Sequence, residues 1–186
     1  SDNSTTDSNN KNQFRGYGFF PFNQKITAEN RNVNKYNYGF GAKLQFDFTL
    51  TDDGKVQVGD DPNNKVPIKF FFSGDDDVWV YIDNQLVLDV GGAHGKASGL
   101  LEFGEQGGKN TVTSYISDIK ASNNTIYKDC APAKQVTFNE KPYTFKHESK
   151  DVITYDKGTT HTLTMFYMER GMWESNMAVA FNFPDH

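Results

Sequence analysis

The sequence predicts an all-β chain folded as an antiparallel β-sandwich, with long loops and one irregular insert. Three observations carry that prediction. Residues 43–50, KLQFDFTL, alternate polar and apolar side chains, with Leu44, Phe46, Phe48 and Leu50 on one face, which is the period of a half-buried strand. Residues 70–90 run apolar, acidic, apolar, turn and apolar again, the pattern of strands that return on each other as a hairpin. No stretch reads as a long amphipathic helix or an internal repeat, while 16 Phe, 9 Tyr and 2 Trp in 186 residues suit pleated, half-buried surfaces.

Taken in order, residues 1–13, SDNSTTDSNNKNQ, hold no bulky apolar side chain. They cannot bury enough surface to offset the entropy of ordering, so they predict a disordered tail or linker. Residues 14–186 then read as a single domain, long enough to bury a sizeable core. The segment 14–23, FRGYGFFPFN, is an irregular aromatic arm, and 24–37 is a polar loop. After the strand at 43–50, Asp52-Asp53-Gly54 turns the chain and 51–64 is an exposed loop. Pro67 opens the strand that leads into the acidic knot.

That knot is Ser73-Gly74-Asp75-Asp76-Asp77, wedged between Phe70-Phe71-Phe72 and Val78-Trp79-Val80-Tyr81-Ile82. Three adjacent carboxylates repel one another unless a cation offsets them, and burial makes the repulsion dearer. A cluster of hard oxygens suits calcium better than zinc or copper. Val78, Val80 and Ile82 share one face of the following strand, and Trp79, Tyr81 and Asp83 the other. A turn at Asn84-Gln85 returns the chain through residues 86–90, and 91–95, GGAHG, bends sharply.

Leu100 to Phe103 predicts a short strand, and about 104–142 an irregular insert rich in Gly, Lys and Asn, with short strands or a helical turn and apolar pieces at Tyr115-Ile116 and Val136-Thr137-Phe138. Short strands follow at 143–146 and 152–155. Leu163, Met165 and Tyr167 share a face, as do Met177, Val179, Phe181 and Phe183, and residues 169–176, ERGMWESN, join these two strands.

The net charge of −5 argues against a nucleic-acid footprint and against anionic membranes, and no run approaches a membrane span. Cys130 stands alone, without a disulfide framework or a zinc-ligand pair, which fits a cytosolic chain or an exported bacterial one. Two Asn-X-Thr patterns, at Asn3 and Asn123, matter only in a eukaryotic source. Catalysis has little support. The sequence has neither a Gly-x-Ser-x-Gly elbow nor a His-Glu-x-x-His, and His94, His147, His161 and His186 lack metal-like spacing. The expectation is a non-enzyme.

Residues 73–89, SGDDDVWVYIDNQLVLD, resemble the signature of the PA14 superfamily. Residues 91–95 and 158–183, GTTHTLTMFYMERGMWESNMAVAFNF, resemble its fibro-slime branch more narrowly. The likeness covers roughly Tyr38 to Phe183, apart from the insert. It implies a calcium ion held by Asp75 and Asp76, with a side-chain oxygen from the facing loop, supplied by Asn176 or Glu174. In several lectin-like members the peptide between the two aspartates is cis. Many members carry Gly where Asp77 stands, which leaves open which two of the three aspartates hold the ion. Asp77, His94, Trp173 and Glu174 would then line the bound ligand. Trp173 either faces a sugar ring or closes the core as a lid, and His94 either touches the ligand or holds its bend by a backbone hydrogen bond. The resemblance implies a calcium-dependent carbohydrate-binding module of a bacterial cell-surface adhesin, with a cell-surface or extracellular glycan as partner. It places the chain in a larger multidomain protein at the cell surface or cell wall, with no membrane insertion of its own. The alternative is a structural or protein-interaction domain of a surface fibre in which calcium serves only the fold.

Overall fold

The computed structural model describes residues 39–92, 94–118, 126–169 and 177–184. The expected tail at 1–13 and aromatic arm at 14–23 lie outside them. Among the described residues the chain is all β, with antiparallel sheets packed as a sandwich. One sheet has four strands in the order β1 (Phe40–Thr49), β12 (Thr160–Glu169), β5 (Asp77–Ile82) and β6 (Gln85–Val90). The other runs β13 (Met177–Phe181), β4 (Lys69–Gly74), β7 (Ala97–Gln106), β8 (Lys109–Ile116), β10 (Lys141–Ser149) and β9 (Tyr127–Phe138), with β11 (Ile153–Tyr155) also paired to β8. A small hairpin of β2 (Lys55–Gln57) and β3 (Lys65–Pro67) completes the set.

The core lies between the two sheets and is built by alternation. Phe48 from β1, Val78, Val80 and Ile82 from β5, Leu163, Met165 and Tyr167 from β12, and Phe70 and Phe72 from β4 all point inward and are buried. At β7 the sheets approach so closely that only glycine fits. A Cβ on Gly99 would lie 2.8 Å from Leu88 Cδ2 and 2.9 Å from Val90 Cγ2, both on β6. A second, smaller cluster of Phe71, Leu100 and Phe145 forms on the opposite face of the larger sheet. The β9–β10 hairpin brings Val136, Phe138 and Tyr143 against it.

Where it is described, the expected insert at about 104–142 is mostly strand. Residues 109–116 are a full strand with Asn110, Val112, Ser114 and Ile116 turned to the buried face, and 127–138 are the longest strand among the described residues. Gly107 and Gly108, with φ of 60° and 78°, make the tight turn between β7 and β8. The Gly, Asn and Lys content that reads as irregular is the content of hairpin turns and solvent faces. Likewise the loop expected at 51–64 contains β2, and the strand expected to begin at Pro67 is broken there into β3 and β4.

Candidate functional site

Connectivity places the acidic knot. β4 belongs to the larger sheet and β5 to the smaller, so Gly74-Asp75-Asp76-Asp77 is a crossover between sheets. Two further crossovers occur at the same end. Residues 91–96 carry the chain from β6 to β7, and residues 170–176 carry it from β12 to β13. Register brings the three together. Gly74 pairs with Ala97 on one side and Met177 on the other, and Asp77 pairs with Met168. Both ends of the 170–176 connection therefore flank the aspartates. Trp173, Glu174 and Asn176 lie on that connection, outside the described residues.

The three aspartates are not equivalent. Asp75 is half-buried, Asp76 is 6% exposed and Asp77 3%. Asp76 Oδ2 accepts a hydrogen bond from the hydroxyl of Tyr167, a core-facing side chain. Asp77 Oδ1 instead accepts the backbone N–H of Gly92, at 2.9 Å, from the neighbouring crossover. Successive side chains along an extended chain point to opposite faces, and the two carboxylates follow that rule. Asp77 ties one crossover to another, while Asp76 turns to the Tyr167 hydroxyl. The Asp75–Asp76 peptide is trans, unlike that of several lectin-like proteins the motif resembles; the cis bond among the described residues is Ala131–Pro132.

Two residues join the site that sequence reasoning left out of it. The Tyr167 hydroxyl also lies 3.3 Å from Glu169 Oε2, and Glu169 is 1% exposed. Asp76 and Glu169 are thus two buried carboxylates facing one phenol. Tyr at the last core-facing position of β12 is the available signal, because a buried Tyr hydroxyl needs a polar partner. His94 holds its bend. Its Nδ1 is 2.6 Å from Gly95 O and its Nε2 2.8 Å from Val90 O, so either N–H tautomer of the ring has a backbone carbonyl to accept its proton.

The Asp76 and Glu169 carboxylates and the Tyr167 phenol offer oxygen atoms beside the knot, the donor type calcium selects. Among the described residues no group of three or more His, Cys, Asp or Glu side chains converges to hold a metal. An ion at the pair therefore needs further oxygens, from backbone carbonyls, from the 170–176 connection or from water.

At the opposite end of the smaller sheet a second polar network fixes the β5–β6 turn. Asp83, with φ of 54°, accepts from Thr162 N at 3.0 Å and pairs with His161 Nδ1 at 2.9 Å. His161 Nε2 lies 2.6 Å from Thr159 Oγ1. Burial pushes the Asp83 carboxyl up, but the His161 ring and the Thr162 N–H together outweigh it and hold the group below the usual carboxylate range.

The chain is similar to several proteins of Dictyostelium discoideum. It is 34% identical to protein psiH over 91 residues, 49% of this chain and 11% of that protein. It is 45% identical to protein psiO over 58 residues, 31% of this chain and 6% of that protein. With protein psiQ the identity is 62% over 29 residues, 16% of this chain and 3% of that protein. The matched stretches are a small fraction of each relative's own length. No protein-family model matches the chain. No solved structure matches it.

Proposed function

We propose that this chain is a calcium-dependent carbohydrate-binding module of a cell-surface adhesin, of the PA14 type in its fibro-slime branch and without catalytic activity. The observation that carries this reading is the place of the Asp75–Asp76 pair on an inter-sheet crossover whose flanking residues pair with Ala97, Met168 and Met177 of the neighbouring strands. In this reading Asp75 and Asp76 hold the ion and Asn176 completes its side-chain donors. Glu174 and Trp173 face the sugar, and Asp77 and His94 shape the crossover next to it. Calcium takes 6–8 oxygens, so two carboxylates and one loop leave positions for two hydroxyls of a glycan. A shallow single site of this kind gains useful strength from many copies on a surface. The module would belong to a larger extracellular protein and insert into no membrane. The relatives are eukaryotic, so a bacterial source finds no support among them.

A structural role is the second reading, favoured by the burial of Asp76, Asp77 and Glu169 and their bonds to Tyr167 and Gly92. Glycan-array binding in calcium and in chelator separates the two. The lectin reading expects binding that needs calcium and is weakened by Trp173→Ala with calcium affinity unchanged. Binding that survives chelation at this site, or a Trp173→Ala variant that binds as the parent does, counts against it. No binding to any glycan leaves the structural role.

A further inference from the structure

We infer that the outer face of the four-stranded sheet is a second carbohydrate surface, which takes an extended, uncharged polysaccharide and needs no ion. Alternation puts Trp79 and Tyr81 of β5 and Phe166 and Met168 of β12 on the side facing away from the core. A solvated sheet face ordinarily carries polar side chains there. Here Phe166 is 42% and Met168 46% exposed, with Trp79 and Tyr81 half-buried beside them. Phe166 sits directly opposite Trp79 in the register, and the Tyr81 ring meets its edge at 5.9 Å and 85°. The platform is fixed rather than loose. The Trp79 ring lies against the backbone of Gly91, where a Cβ would come within 2.6 Å of the indole. Lys43 reaches over the Phe166 ring at 6.0 Å, and Gln45, Thr164 and Asp89 stand on the same face as hydrogen-bonding neighbours.

Charge and size choose the occupant. Among the described residues Asp47, Asp83 and Asp89 rim the face with Lys43 as their counter-charge, a balance that disfavours an anionic glycan, a nucleic acid or an anionic lipid surface. A second copy of the chain would bring the same acidic rim against this one. The exposed parts of the four side chains amount to an area on the order of 300 Å². That is well short of the roughly 800 Å² per partner of a stable protein interface. It is enough for a few sugar rings, whose C–H faces stack on aromatic rings while their hydroxyls bond to the polar rim. A β-1,4-linked chain, flat and extended, presents such faces in series. This surface stands apart from the calcium site, and chelation removes that site from its test.

The test is calorimetry in chelator with cellohexaose and chitohexaose as neutral probes and a carboxymethylated glucan as the anionic one. The wild type is expected to bind a neutral probe and to bind the anionic one more weakly. Phe166→Ala is expected to lose about fivefold or more in affinity, the loss of one stacking contact, and Phe166→Tyr to retain it. Phe166→Ala gives up its packing on Tyr81 and should melt somewhat lower, whereas Phe166→Tyr should melt as the wild type does, and Met168→Thr serves as a second probe of the same face. Failure of both neutral probes to bind in chelator overturns the proposal. So does equal binding of the anionic chain, or a Phe166→Ala variant that binds like the parent. A wild-type dimer dissolved by Phe166→Ala in sedimentation overturns it in favour of a second copy.

Discussion

Tyr167 faces both buried acids of the candidate site. Its single hydroxyl proton goes to Asp76, and the same oxygen lies 3.3 Å from Glu169 Oε2. Tyr167→Phe keeps the ring against Phe40, whose centroid is 5.9 Å away, and removes only the donor. A donor taken from buried carboxylates costs roughly 1–3 kcal/mol, so the urea midpoint should fall with the slope unchanged. An unaltered midpoint would mean that other groups satisfy both acids. Asp83 gives a pH-dependent counterpart. Its folded-state pKa is lowered, so the stability it adds is present above the unfolded value of about 3.9. That stability is lost as pH falls from there through the folded value. The melting-temperature advantage of wild type over Asp83→Asn should therefore be full near neutrality and shrink below about pH 4. An advantage that persists unchanged in acid would show that the Asp83 charge adds no stability.

At the scale of elements, two packing decisions can be separated by mutation. Gly99 lets β7 pass against Leu88 and Val90, both buried and unable to retreat. Gly99→Ala should destabilise by about 1–3 kcal/mol through overpacking of the main core. Phe145 belongs to the other cluster, with Phe71 and Leu100 under the β9–β10 hairpin. Phe145→Ala should cost about 3–5 kcal/mol. Hydrogen exchange should rise first in 127–149, because that hairpin depends on the smaller cluster. Uniform loss of protection across both sheets would show the two clusters to be one unit. The strands most legible in the sequence, β1, β5 and β12, alternate cleanly because one face meets the core and the other meets solvent. β8 and β9 were lost to the insert because their buried positions include Asn110 and Ser114, and because β9 is mostly exposed. The acidic knot stood out as charge between apolar strands. The opposite facing of Asp76 and Asp77 did not, since it depends on which residue opens β5.

For the whole molecule, what matters is that the Asp75–Asp76 pair lies on a chain segment linking the two sheets. An ion held there, with a donor from the β12–β13 connection, would tie two crossovers and hence both sheets together. Binding only the folded state, calcium at about a hundred times its dissociation constant adds about 2.7 kcal/mol. For a chain of this size that is a rise in melting temperature on the order of 5–10 °C over a fully stripped sample. Asp75→Asn and Asp76→Asn should each abolish the rise, because each removes a charge the ion needs. Asp77→Asn should keep it, since an amide oxygen still accepts from Gly92 and the ion pair of ligands is intact. If Asp77→Asn loses the rise while Asp75→Asn retains it, the ligand pair shifts to Asp76 and Asp77. The two crossovers would then be joined through the Gly92 bend. If calcium moves none of the four melting curves, the carboxylates serve the fold through bonds such as those to Tyr167 and Gly92, and the calcium reading falls.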